Sequence, residues 1–519
     1  MFAAIVKTEG SFINVTLDRV RGWAGAIVAV IATWFTFRHL FVSHAAFTGD
    51  DWHYFALLRH LDSPLDVFSL NIGGAYFYRP VALLFFWLSE AIFGINAAAH
   101  YGINIALHGW VAFEVAAFAA MLTRQREMSG WVATLFLVLP ATAATPLWIS
   151  DRFDLIATAA MLGSVRLMAQ WTQSSAASRG NRWGSVALAL IAFGSKETAF
   201  ALVPAVLLLL TWGSPRPLRT RFMTGGVILV ITALALCSRL LVLGGLNGGA
   251  GSAVAASALL DGTWLWFVRL PVAVQTHGGL LALGTLAVGT VALAAARLLA
   301  REPFTVEPAA TPSRLLLPVA ALLLLMVGVV IAQAPIALTA LAGHVDALPT
   351  VSLRFYYAPL AASFILIAAA AAPLARDLKP VWLWLMRGAA TVAVMMCAYG
   401  SAAQSRMWAA NTATQARQAA SLLADYSVAA LRAQNERPCL VRLPMVNAAL
   451  TDIDLRFKAG LGRSDPRLNC ALLTSPPQTQ TITRLADCGR DGLAPAHSTV
   501  PELSPLRRAG TCTHFFLGE

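Results

Sequence analysis

Apolar runs of about 20 residues recur from the N-terminus to Gly400, each long enough to cross a bilayer as a helix. Of 519 residues, 58% are hydrophobic and only 12% are charged, where a soluble domain carries about 25% charged residues. An α-helical polytopic membrane protein is therefore expected. The net charge of +12 does not argue for a nucleic-acid partner, because Lys and Arg in membrane proteins collect in cytoplasmic loops and set topology. Lys7, Arg19 and Arg21 precede the first apolar run, without a small-residue cleavage site. This predicts an uncleaved first helix, with residues 1–21 in the cytoplasm.

One segment decides the topology. Pro80 to Phe93 is apolar but too short to span comfortably, and its length suits a helix lying along the interface. If it lies on the outer surface, five basic loops all fall in the cytoplasm: those at Arg124/Arg126, Arg179/Arg182, Arg216/Arg219/Arg221, Arg297/Arg301/Arg314 and Arg376/Lys379. About eleven spans follow, at 22–43, 97–121, 131–149, 154–172, 183–194, 197–213, 222–243, 279–299, 315–334, 355–374 and 381–400. The fifth and sixth meet at Gly194-Ser195-Lys196-Glu197, read as an outward-facing re-entrant break. The membrane domain is thus residues 22–400, and the C-terminal residues 401–519 lie outside the membrane on the periplasmic side.

That tail is polar and Pro-rich. QSRMWAANTATQARQAASLLADYSVAALRAQ reads as a helix leaving the last span, and CLVRL as a strand, which predicts a small α/β domain. Cys439, Cys470, Cys488 and Cys512 fall within it. An even set in an oxidising compartment predicts two disulfides, and the absence of a CxxC pair weakens a zinc reading.

Ionisable residues concentrate in the outward segments. Gly49-Asp50-Asp51-Trp52-His53 follows the first span. Adjacent carboxylates at a membrane surface repel each other and lose hydration, so they call for a cation, a proton or a substrate; a helix N-cap is the plainer reading. Ser150-Asp151-Arg152-Phe153-Asp154 supplies a second acidic cluster on the same expected side. Two such clusters beside cations suit a general base and an anion- or metal-binding partner. Arg79, Lys196 and Arg354 are candidate phosphate contacts, against the alternative of interfacial snorkelling. His100, Asn104 and His108 recur every four residues on one helix face. Interhelical hydrogen bonding is expected of Asn104 and His108, and Glu114 is read as structural; His100, nearer the outer end, is a candidate substrate contact.

The order of these motifs resembles the GT-C superfamily of membrane glycosyltransferases, in particular the protein O-mannosyltransferases and the tetratricopeptide-linked membrane mannosyltransferases with their bacterial relatives. The matching segments are GDDWHYF, YRPVALLFFWLSEAIFGINAAAHYGINIALH, PLWISDRFDLIA, FGSKETAFALVP and LRFYYAPL, spread over about residues 20–375. The resemblance implies a polyprenyl-phosphate-linked sugar donor, an aqueous site on the outer face of the bacterial inner membrane, and a juxtamembrane helix in the first outer loop. It implies Asp50 or Asp51 as the base, Asp151 or Asp154 as the second acidic site, and Arg79, Lys196 and Arg354 at the donor phosphate. His53, His100, Arg152, Glu197, Tyr356 and Tyr357 then become substrate-contact candidates. Some branches use a divalent metal, Mg or Mn, for which Asp50, Asp51 and Asp154 would be the ligand candidates. No tetratricopeptide repeats follow the membrane part, so the acceptor, whether glycolipid, polysaccharide or protein, does not carry over. The competing readings are a transporter or flippase of a lipid-linked or anionic substrate, and a non-catalytic envelope-assembly subunit.

Overall fold

The computed structural model describes residues 26–59, 61–70, 77–173, 179–243, 316–330, 356–376, 380–433, 440–443, 449–461, 465, 467, 471–474, 505–508 and 511–514. These residues are nearly all helical. The helices are α1 (Ala26–Val42), α2 (Gly49–Arg59), α3 (Pro80–Phe93), α4 (Ala97–Thr123), α5 (Arg126–Val138), α6 (Pro140–Ala143), α7 (Arg152–Gln173), α8 (Arg179–Phe193), α9 (Thr198–Trp212) and α10 (Leu218–Leu243). They continue with α11 (Leu316–Val330), α12 (Tyr357–Arg376), α13 (Pro380–Ala433) and α14 (Ala449–Gly460). Four short strands lie in the tail: β1 (Leu440–Leu443) pairs in parallel with β2 (Ala471–Thr474), and β3 (Pro505–Arg508) in antiparallel with β4 (Thr511–His514).

This is a membrane protein. Among the described residues, 3 helices are long and apolar enough to cross a bilayer, or up to 4 if the bent α5–α6 segment counts as one span. Shorter apolar helices accompany them, α1, α3, α9, α11 and α12. Large apolar side chains are exposed on these helices, such as Ile92 of α3 (70% exposed) and Leu241 of α10 (85%), which suits contact with lipid. The expected span at 279–299 and the N-terminal residues 1–21 lie outside the described residues.

Chain packing divides the protein into two compact units. The first comprises residues 1–42, 101–235 and 252–407, and its centre is α7, packed on α8 and α9. Small residues let α7 and α8 approach closely: Ala160 and Ser164 on one, Ser185 and Ala189 on the other are all buried. The Ser164 hydroxyl donates across this contact to the Ser185 carbonyl at 2.8 Å. Glu114 of α4 meets Arg166 of α7 through two hydrogen bonds, 2.7 and 3.2 Å, which confirms it as a structural residue. A Cβ on Gly163 would come within 2.8 Å of Leu188 Cδ1 and 3.1 Å of Glu114 Oε1. Leu188 can turn away, but Glu114 is held by Arg166. Gly163→Ala is therefore expected to lower stability by about 1 kcal/mol, since overpacking of about 1–3 kcal/mol outweighs the helix propensity gained. Thermal unfolding in detergent checks this; a raised Tm would show that the pair gives way.

The span expected at 131–149 is bent. Residues 131–149 do not form a straight helix: α5 ends at Val138 and the chain bends by 56° before resuming at Pro140. Proline lacks a backbone N–H and forces the preceding residue out of helical geometry; Leu139 is accordingly extended. The break frees carbonyls at the end of α5, and inside a membrane each needs a partner. Thr142 Oγ1 donates to Phe136, His108 Nε2 to Leu137 at 3.1 Å, and Ser401 Oγ to Val138 at 2.6 Å.

The second unit comprises residues 43–100, 236–251 and 408–519. Its α3 occupies the 14 residues read from sequence as the interfacial helix. Pro80 opens it at N1, where a missing N–H costs nothing, and Gly94 closes it at a positive φ of 59°. The last predicted span, 381–400, and the helix expected to leave it are one continuous helix, α13, of 54 residues. The strand expected at CLVRL is β1.

Candidate active site

In the second unit, the acidic loop forms the first turn of α2. Gly49 enters the helix at φ +29°, a backbone setting that favours a residue without Cβ. Thr48 donates its N–H to Asp51 Oδ2 at 3.0 Å, while Asp51 N–H donates to the Thr48 carbonyl at 2.8 Å. This is the carboxylate half of a capping box. Asp51 is completely buried, whereas Asp50 is exposed. The two aspartates, equivalent in the sequence, are thus divided: one caps the helix and the other faces solvent. Burial pulls the His53 imidazole below its usual value, and the nearby Asp50 carboxylate opposes that shift.

Phe47 braces this turn. Its ring packs edge-on against Trp52, Phe55 and His100 at 5.1, 4.9 and 5.6 Å. His100 is completely buried, with Nε2 3.0 Å from the Gly94 carbonyl. Its ring also packs edge-on against Phe55 at 5.0 Å. Arg59 of α2 pairs with Glu90 of α3 at 2.8 Å. Arg79 stands at the N-cap of α3, its guanidinium 4.3 Å from the Phe77 ring.

The tail adds a helix to the same unit, which the sequence reading did not foresee. α14 packs on α2, and Arg456 lays its guanidinium over the Trp52 ring at 5.0 Å. Tyr426 Oη donates to Asp454 at 2.6 Å, and Lys458 Nζ reaches the other carboxylate oxygen at 3.0 Å. Asp454 and Lys458 at i, i+4 were a visible helix signal in TDIDLRFKAG; the partner helix was not visible.

In the first unit, a polar cluster lines the start of α7. Asn104 Nδ2 donates to the carbonyls of Trp148 (3.0 Å) and Ile149 (3.3 Å), and its Oδ1 accepts from Arg152 Nε at 2.9 Å. The amide thereby anchors the irregular stretch before α7, as expected of an interhelical hydrogen-bonding residue. Asp151, Arg152 and Asp154 are all buried. Lys196, in the break between α8 and α9, forms an ion pair with Asp154. Glu197 takes the N-cap position of α9 without a side-chain cap. His108 Nδ1 lies 2.6 Å from Tyr357 Oη. With Nε2 donating to the Leu137 carbonyl, a neutral imidazole accepts at Nδ1, so the tyrosine donates. Tyr356 and Tyr357 are both buried.

Arg354, Cys439, Cys470 and Cys488 lie outside the described residues; Cys512 falls in β4. No disulfide is found among the described residues, whose free thiols are Cys237 and Cys397. Among the described residues, no group of three or more His, Cys, Asp or Glu is placed to hold a metal ion.

No protein-family model matches the sequence, and no curated protein matches it either. Solved structures do. The likeness is to ArnT and AglB. ArnT from Cupriavidus metallidurans in the apo state matches at 17% identity and a TM-score of 0.41, over 87% of each chain. The same protein bound to undecaprenyl phosphate matches at 17% identity and 0.39, over 86% of this chain and 87% of that one. The archaeal oligosaccharyltransferase AglB from Archaeoglobus fulgidus, in complex with an inhibitory peptide and a dolichol-phosphate, matches at 13% and 0.41, over 74% of this chain and 56% of its own. At such TM-scores residue roles do not transfer, and they rest here on this chain's own geometry.

Proposed function

We propose that the chain is a glycosyltransferase that moves a sugar from a polyprenyl-phosphate carrier, undecaprenyl phosphate in bacteria, to a hydroxyl of an envelope acceptor on the outer face of the inner membrane. The observation that carries this reading is the division of the Asp50-Asp51 pair: Asp51 is consumed in capping α2, and Asp50 is exposed on the first turn of a short helix that precedes α3 in sequence. A carboxylate so placed suits a general base. Asp50 takes the acceptor hydroxyl proton as the acceptor oxygen attacks the anomeric carbon. The bond from that carbon to the carrier phosphate breaks, and the departing phosphate gains one negative charge. Direct attack inverts the anomeric centre.

Cations are needed where that charge develops; in this reading Arg79 serves as the phosphate contact within the second unit, and Arg354, outside the described residues, is a candidate from the motif LRFYYAPL alone. Lys196, already paired with Asp154, instead holds the α8–α9 break against α7. The topology that goes with the reading keeps the N-terminus in the cytoplasm and places residues 401–519, with their Cys-bearing α/β module, in the periplasm.

The test is transfer from radiolabelled undecaprenyl-phosphate sugars by the purified full chain in lipid nanodiscs, with the product anomer read by NMR. Inverted product is expected. A covalent glycosyl-enzyme would overturn the direct-attack step, and ATP-free movement of intact donor across the bilayer without transfer would favour a flippase.

A further inference from the structure

We propose that the end of the first unit where α7, α8 and α9 meet binds the phosphate headgroup of an anionic phospholipid, with Arg182 of α8 as its main contact. The chain there carries charge of one sign. Between residues 167 and 221 stand five arginines, Arg179, Arg182, Arg216, Arg219 and Arg221, and the only acidic residue is Glu197. Glu197 precedes α9, whereas the arginines follow α7 and α9 or open α8 and α10. This place is also far from the polar cluster at the start of α7. Trp171 follows Asp154 by 17 residues of that helix, an axial rise of about 26 Å. The lipid site is therefore separate from the transfer reading.

Two of the arginines are accounted for within the fold. Arg216 donates through Nε and Nη2 to the Trp171 carbonyl, at 3.3 and 2.9 Å, in the last turn of α7, where helical carbonyls lack partners. Arg221 Nη1 donates to the Trp212 carbonyl at 3.0 Å. Arg182 has no such role. Its guanidinium lies 4.6 Å from the Trp183 ring and 5.8 Å from the ring of Trp171, on which Arg216 also rests at 5.3 Å. The residue is half-buried, its Nε is buried without an acceptor, and no carboxylate among the described residues faces it. Arg179 and Arg216 instead repel its charge, and so does the positive end of α8, whose first turn holds no acid. Setting topology requires only cations near the membrane boundary; it does not require them gathered around one buried tryptophan. A phosphate would offset the repulsion through charge-assisted hydrogen bonds. The surroundings favour a lipid over a free anion. Trp183 (48% exposed) and Leu190 (43%) are seven residues apart, so they share one face of α8 and give an acyl chain a track below its headgroup. Basic pockets between membrane helices recognise phospholipid headgroups in this way.

The experiment uses the delipidated full chain in detergent, with native mass spectrometry counting bound lipid as phosphatidylglycerol or phosphatidylcholine is titrated in. Phosphatidylglycerol should bind the wild type more tightly by about 10-fold or more, and Arg182→Met, which keeps the stem and removes the charge, should weaken that binding by about 10-fold to 100-fold, the range for one charge-assisted contact. Arg182→Lys should recover part of the loss. Arg179→Gln, at an exposed position, should weaken binding by about twofold to fivefold. Arg417→Gln, at an exposed arginine of α13, should change nothing. Equal affinity for the two lipids, unchanged binding in Arg182→Met, or an equal loss in Arg417→Gln would overturn the inference. If Arg182→Met does not fold, unchanged binding in Arg179→Gln overturns it instead. Displacement of phosphatidylglycerol by equimolar inorganic phosphate would also overturn it, leaving a site for free anions only.

Discussion

Asp50→Asn is expected to lower the rate of transfer by about 10²–10⁴-fold, the contribution typical of a positioned general base, with no measurable loss of stability. Asp50 is exposed on the first turn of α2, so the amide replaces the carboxylate without leaving a buried group unpaired. Asp51→Asn should do the reverse. Its carboxylate is buried and accepts the Thr48 N–H, so the change weakens a cap and costs about 0.5–2 kcal/mol, with activity falling only as far as α2 loosens. Kinetics and thermal unfolding of both variants separate the two cases. Equal activity of Asp50→Asn and wild type would remove Asp50 as the base. A large kinetic loss in Asp51→Asn at unchanged stability would exchange the roles.

The second large effect is on stability. Asp154 and Lys196 form an ion pair with both side chains about nine-tenths buried. Removing one partner leaves an uncompensated charge away from water, which costs about 3–5 kcal/mol. Lys196→Met is therefore expected to unfold the protein at far lower denaturant or temperature, while Asp154→Leu combined with Lys196→Met should recover most of the loss, because a well-packed apolar pair replaces a buried ionic one at little cost. A double-mutant cycle by thermal unfolding in detergent measures the coupling. A coupling near zero would mean that Lys196 is hydrated and available to a ligand, and would return it to the donor phosphate contacts expected from the motif FGSKETAF.

What the sequence disclosed about this protein is what local pattern controls. Helix α3 was bounded by Pro80 and Gly94, and both its ends are where those residues put them. The break at 194–197 was written in Gly194-Ser195, and the four-residue spacing of Asn104 and His108 placed them on one face. Long-range pairings left no such trace. Asp154 and Lys196 are 42 residues apart, and either alone reads as a surface charge. The unequal fates of Asp50 and Asp51 depend on one backbone hydrogen bond and on the positive φ of Gly49, which no periodicity encodes. The bend at Pro140 was hidden because the residues around it are uniformly apolar. The docking of α14 on α2 joins the tail to the segment that follows α1, a pairing that neither composition nor hydropathy could suggest.

The bend at Pro140 also bears on how the chain is made. The Val138 carbonyl finds its partner in Ser401, 263 residues later. At a synthesis rate of about 5–20 residues per second, the serine leaves the ribosome on the order of 10–50 s after the carbonyl. During that interval the α5–α6 segment enters the membrane with one acceptor still waiting for the hydroxyl that completes it. Its final geometry is therefore sealed by one of the last membrane helices to be synthesised, and a nascent chain that ends before α13 carries this bend unfinished.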